Sequence, residues 1–204
     1  GSFVIGGSPA GVYSSMVGTI NRYYDPTIKD VKASPDLPMG VRGFMEGFNR
    51  YRSRLPGYNE NLPERLNLWG EVLMSGQGKG YEMVLPTRVS PQQFSEVDDE
   101  LVRMGSPIGM PSRKLSKVDL DAYQYNQLIT IYSQELNAKQ LILDKIRAPG
   151  MDNLSLTGRQ KQVQQTHSKL MAAAEEILKS RDLDLQEKIR EFEVNQEAQG
   201  LYYK

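Results

Sequence analysis

Apolar positions along this chain fall into short sets at helical spacing, each cut off by proline or glycine. Residues 1–9 are rich in Gly and Ser without periodicity and read as an extended lead-in. Val12, Met16, Ile20 and Tyr23 then make one stripe of a helix from Ala10 to Tyr24, which Pro26 ends. Pro26 to Ala33 has room for one or two further helical turns. Asp36-Leu37-Pro38 marks a new helix start, proline being tolerated in a first turn. Val41, Phe44, Met45, Phe48 and Tyr51 recur at helical spacing over Met39–Leu55, with Arg42, Arg50, Arg52 and Arg54 on opposite or flanking faces. Gly40, Gly43 and Gly47 each weaken that helix by up to about 1 kcal/mol, and their spacing would admit another backbone at close range.

The middle third changes period. Leu55-Pro56-Gly57-Tyr58 and Leu62-Pro63 are turn signals. Leu68–Met74 and Tyr81–Val89 flank Ser75-Gly76-Gln77-Gly78-Lys79-Gly80, a pattern that predicts a β-hairpin with a glycine-rich tip. Ser90, with Gln93 three residues on, opens a helix ending at Gly105, and Ser106–Lys117 reads as an ordered loop or edge strand. From Asp119 the chain is helical. Leu120, Tyr123, Gln127, Leu128, Ile131 and Leu136 form one stripe, and Leu141–Ile146 a second piece that Ala148-Pro149-Gly150 breaks. Thr157–Ser180 is a long helix with Val163, His167, Leu170, Ala174, Ile177 and Leu178 inward, followed by a last helix capped by Asp182 or Asp184, with Leu185, Ile189 and Phe192 inside. The fold class expected is mainly α: discontinuous helices, one small β-hairpin in the middle third, and long helices at the C-terminal end. Three regions follow: 1–60, a lead-in and helices draping on a partner; 61–118, hairpin, loop and one helix; and 119–204, helical.

Composition removes several functions. The 204 residues carry 25 basic and 25 acidic side chains, and this zero net charge argues against a dedicated nucleic-acid binder. Cysteine is absent, which excludes disulfides, thiolate catalysis and cysteine-ligated metal sites. The single histidine, His167, would have to carry any histidine-based metal site or catalytic triad alone, and its place on an apolar stripe reads as a satisfied, partly buried core residue. No apolar run approaches the roughly 18 residues of a membrane span. The first residues lack the basic stretch of a signal peptide, and Gly1-Ser2 reads as a cloning scar or the chain as a piece of something longer.

The candidate chemistry thins out on inspection. Gly76-Gln77-Gly78-Lys79-Gly80 lacks the Ser or Thr that must follow the lysine of a phosphate loop, so it reads as a turn. The acidic clusters at 98–100, 119–121 and 182–184 read as helix caps, because acids in a first turn complement the helix dipole. Residues 175–197 hold eight acidic and four basic side chains, a modestly acidic far end. No catalytic, cofactor-binding or metal-binding residue is assigned, and no cofactor is expected. The best interaction patch is Phe48, Arg50, Tyr51, Arg52, Arg54, Tyr58, Arg65 and Trp69. Arginine interleaved with aromatics is the composition of protein–protein hot spots, and it can also stack on bases and clamp phosphates. Balanced overall charge favours the protein interface.

The run Phe44–Gly70 resembles a segment of the large internal virion proteins of tailed bacteriophages. There an aromatic-rich helix is followed by Arg-Ser-Arg-x-Pro-Gly and then Leu-Pro-x-Arg-x-Asn/Asp-x-Trp/Phe-Gly. Arg52, Ser53, Arg54, Pro56, Gly57, Leu62, Pro63, Arg65, Asn67, Trp69 and Gly70 occupy those places. Val97–Lys114 is similar to the stretch that follows in those proteins, and Asp119–Tyr132 to their next, tyrosine-containing helix. The resemblance covers residues 10–135; 136–204 carry no such signature. It implies a non-catalytic structural segment of an internal or ejection protein, held in the capsid interior or the portal and tail channel and delivered to the host envelope on infection. Its partners would be the portal, other ejection proteins or further copies of itself, with DNA contact in the channel, an oligomeric state and no stable membrane span. Neither a polymerase nor a peptidoglycan transglycosylase active site is matched here, although proteins of this class carry such modules elsewhere. A support domain of such an enzyme, and a tail tape-measure or tail-tip component, are the alternative readings. Missing cysteine and many Gly/Pro breaks suit a segment that unfolds, passes a narrow channel and refolds.

Overall fold

A computed structural model describes residues 27–55, 57–74 and 95–202 of the chain, with side chains described as far as residue 196. The expected lead-in over 1–9, the helix over 10–24, the glycine-rich tip, the strand over 81–89 and the helix start at Ser90 lie outside these residues. The described parts are mainly helical, with six helices: α1 (Met39–Arg52), α2 (Glu96–Arg103), α3 (Ala122–Thr130), α4 (Ala138–Ile146), α5 (Leu156–Arg181) and α6 (Leu183–Tyr202). Strands β1 (Lys114–Leu115) and β2 (Val118–Asp119) form one antiparallel hairpin. The chain divides into two compact units: residues 1–65 with 72–92, and residues 66–71 with 93–204.

In the first unit, residues 27–33 are extended rather than helical. The backbone N–H groups of Ile28 and Asp30 donate to the carbonyls of Leu73 and Pro63, each at 2.7 Å, and Arg65 N–H donates to Ile28 at 2.8 Å. Donors spent on a ladder cannot close helical turns, so the turns expected over 26–33 do not form. α1 begins after Pro38, whose carbonyl accepts from Arg42 N–H at 2.8 Å, and its last turn carries Arg50 and Arg52. Among the described residues of this unit, the buried apolar side chains are Ala33 and Leu62 alone, beside the buried polar residues Asp30, Asn49 and Asn59.

The second unit is built on α5. α3, α4 and α6 pack against that 26-residue helix, and α2 packs on α4. Leu128, Ile129, Tyr132, Ile142, Val163, Leu178 and Leu185 are sealed from solvent between them. The helix starts of this unit, apart from that of α4 at Asn137, carry capping side chains. Asp121 accepts Gln124 N–H at 2.8 Å while the Gln124 side chain accepts Asp121 N–H, and Asp182 accepts Leu185 N–H at 2.9 Å. For α2 the capping box is that of Ser95: the Asp98 carboxylate accepts from Ser95 N–H at 2.9 Å and from its hydroxyl at 2.6 Å. The acidic clusters therefore do the capping work expected of them.

Three departures from the expected elements stand out. The hairpin is the 114–119 segment, read from sequence as loop or edge strand, because its turn residues Ser116 and Lys117 both take positive φ (48° and 71°) without the Asn-Gly signal such turns favour. Lys114 pairs with Asp119 across it at 3.6 Å. Residues 68–70 form a turn instead of a strand: Asn67 Oδ1 accepts from both Trp69 N–H and Glu71 N–H at 2.9 Å. The helical stretch over 120–136 is also interrupted. α3 runs into a π turn, Ile131–Glu135, closed by Leu136 N–H donating to Ile131 at 2.9 Å. Leu120, Leu128 and Ile131 of the stripe are buried together with Tyr125, Ile129 and Tyr132, while Tyr123 stands 69% exposed.

Candidate functional site

The expected patch centres on α1, and the structure turns that helix the opposite way from an ordinary amphipathic one. Its inward side is polar. Asn49 is buried with its side-chain amide donating to Val31 O at 3.5 Å, and Glu46 lies 3.6 Å from Arg42 and 3.8 Å from Lys32. Its outward side is apolar. Met39, Val41, Phe44, Phe48 and Tyr51 are all exposed, Phe44 by 73%, and Tyr58 continues the surface in the turn beyond. Of the apolar stripe read from the sequence, Val41, Phe44, Phe48 and Tyr51 face solvent and Met45 is half-buried.

Arginines frame this face. Arg52 lies over the Phe48 ring, its guanidinium carbon 5.8 Å from the centroid, which holds both side chains in place. Arg50 and Arg54 are exposed at the C-terminal end of the helix. Arg65 is exposed as well but belongs to the short ladder, not to α1. Trp69 is buried in the core of the second unit, where its indole N–H donates to Asp98 Oδ1 at 2.9 Å. A tryptophan whose N–H finds an acceptor can be buried without leaving that donor unpaired. Met39, Val41 and Phe44 belong to the face: Val41 and Phe44 lie in the apolar stripe read from the sequence, and none of the three is in the expected patch. The signal for them was the polar set Arg42, Glu46 and Asn49, whose own helical spacing marks a second candidate inward side.

Gly40, Gly43 and Gly47 lie along the same exposed helix, and a Cβ built on any of them meets nothing within 4 Å. Three glycines in a 14-residue helix cost up to about 3 kcal/mol in propensity. No neighbour among the described residues requires them.

The remaining polar groups are structural in form. His167 is half-buried on α5, and the fully buried Tyr132 lies edge-on to it with the hydroxyl 2.8 Å from Nδ1. Burial pushes the imidazole below its usual range and the phenol above its own. With its proton on Nε2 the ring accepts from the hydroxyl; with the proton on Nδ1 it donates to the hydroxyl oxygen. A groove of about 680 Å³ runs along α5, α6 and β1, floored by Leu115, Ala172 and Ile189 with Glu175, Lys179 and Arg190 on its walls. Burial raises the Glu175 carboxyl. Among the described residues, no three histidine, aspartate or glutamate side chains are placed to share a metal ion, and no helix is long and apolar enough to cross a membrane.

Comparison with protein-family models, curated proteins and solved structures finds no match.

Proposed function

We propose that this chain is a non-catalytic structural segment of a bacteriophage internal virion or ejection protein, acting through protein–protein contacts in virion assembly and genome delivery. The observation that carries the contact role is the inverted α1, which packs with Asn49 and Glu46 and leaves Phe44, Phe48 and Tyr51 in solvent. Exposed contiguous apolar surface rimmed by charge is the composition of an interface. Covering one such aromatic side chain is worth about 1.5–3 kcal/mol, enough to anchor a contact. The virion setting rests on the resemblance of Phe44–Gly70 and Val97–Lys114, and with it the partners: portal, ejection proteins or self.

A second reading, a support domain of a larger virion enzyme, draws on the second unit, whose continuous core suits a stable module. The test is made on particles. Peptides of this chain are expected in nuclease-treated virions of the phage whose genome encodes it, and a photo-crosslinker at Phe48 is expected to capture a virion protein. Particles lacking the chain would refute the virion role. Capture of a polymerase or transglycosylase module would shift the reading to the enzyme.

A further inference from the structure

The face of α1 has a specific internal layout. Around the helix axis, at about 100° per residue, Gly40 and Tyr51 point within about 20° of each other, and Gly47 and Phe44 within about 60°. Small and large residues thus share one side, and their order reverses along the helix. If a second α1 is laid antiparallel on the first, Tyr51 comes level with Gly40, Phe44 with Gly47 and Phe48 with Gly43. The Tyr51 and Phe44 rings meet positions where the opposing backbone has no side chain, whereas Gly43 and Phe48 lie about 140° apart around the axis and do not meet; a Cβ built on any of these glycines meets nothing among the described residues.

Charge selects the same arrangement. Arg50, Arg52 and Arg54 cluster at one end of α1, and exposed Asp36 lies just before the other. An antiparallel pair holds the two arginine clusters about 20 Å apart, beyond the screening length of about 8 Å at physiological salt. It also brings the partner's Asp36 toward Arg54 and opposes the two helix dipoles favourably. A parallel pair would stack arginine on arginine.

We propose that the occupant of this face is the α1 of a second copy of the chain, paired antiparallel about a two-fold axis in the register that sets Gly40 against Tyr51. This rests on the reading of α1 as a contact surface and names its partner. The pairing is isologous, so it closes at two copies and adds a dimeric step to any larger assembly.

The test uses the full 204-residue chain, whose lack of cysteine lets single thiols be placed. Light scattering of the wild type is expected to give a dimer. Mixed Gly40→Cys and Tyr51→Cys chains are expected to form a disulfide-linked heterodimer under mild oxidation, while neither variant links to itself. Gly40→Ala/Gly47→Ala is expected to weaken dimerisation by at least about tenfold while making the helix more stable, an opposition that loss of folding would not produce. A monomeric wild type, self-linking of either single variant, or an unchanged dimer in the alanine variant overturns the pairing. A monomer whose Phe48 crosslinker still captures a different virion protein overturns the pairing and leaves the contact surface standing. A dimer absent from particles does the reverse for the virion role.

Discussion

Replacing Gly70 by alanine tests how the 66–71 segment is held in the second unit. Gly70 sits at φ +75°, in the left-handed region where an L-residue costs roughly 1–2 kcal/mol. A Cβ there would collide with Ser133 Oγ and lie 3.1 Å from Ser133 Cβ. Ser133 is buried in the π turn, and its hydroxyl has no hydrogen-bond partner among the described residues, so nothing compensates a forced shift. Overpacking of this kind costs about 1–3 kcal/mol, giving a total of about 2–5 kcal/mol for Gly70→Ala. The two parts separate in a double-mutant cycle. Ser133→Ala alone is expected to be neutral or slightly stabilising, since it removes an unpaired buried hydroxyl. In its background Gly70→Ala should cost about 1–2 kcal/mol less, the φ strain remaining. Trp69 is the chain's only tryptophan and lies buried beside Gly70, so urea unfolding followed by its fluorescence reports this unit. A Gly70→Ala loss under about 1 kcal/mol would refute the close approach, and an undiminished loss in the Ser133→Ala background would refute Ser133 as its source.

Asp98→Ala removes the acceptor shared by Trp69 Nε1, Ser95 N–H and the Ser95 hydroxyl, and is expected to cost about 1–3 kcal/mol with a shift in Trp69 emission; an unshifted spectrum would count against the bond. Asp182→Ala uncaps α6 and frees the Gln124 side chain, with an expected cost of about 1–2 kcal/mol and faster amide exchange in the first turn of α6. His167 has a depressed pKa, so below 6.5 the unfolded chain binds the proton first and stability falls as pH drops through the folded-state value. Glu175, raised by burial, acts in the opposite sense: its contribution is lost as pH rises above 4.5. The urea midpoint of His167→Gln should therefore vary less with pH just below 6.5 than that of the wild type, and parallel profiles would rule His167 out.

Most helical elements were legible in the chain because capping and punctuation are local chemistry. Asp121 with Gln124, Asp182 before α6 and the Ala148-Pro149-Gly150 break act through neighbours within a few residues. The same locality made the acidic clusters readable as caps and His167 as a core residue. The hairpin at 114–119 escaped because Ser116 and Lys117 adopt a conformation their side chains do not announce.

Which side of a helix meets a neighbour is not local chemistry, and there the sequence alone ran out. The apolar spacing of α1 was plain, but its inward side depends on what 27–33 and Lys32 offer, and they offer Val31 O and a charge to Asn49 and Glu46. The π turn inserts one residue after α3, where Tyr132 lies against His167 and Ser133 against Gly70, contacts that lie far along the chain. Trp69, adjacent in sequence to the arginine-rich run, was taken into another unit by the Asp98 acceptor 29 residues away. Hydrophobic periodicity along the chain determined that these segments are helices with a preferred stripe; only long-range partners, which satisfy or strand each polar group, decided which stripe is buried and which is left as a surface.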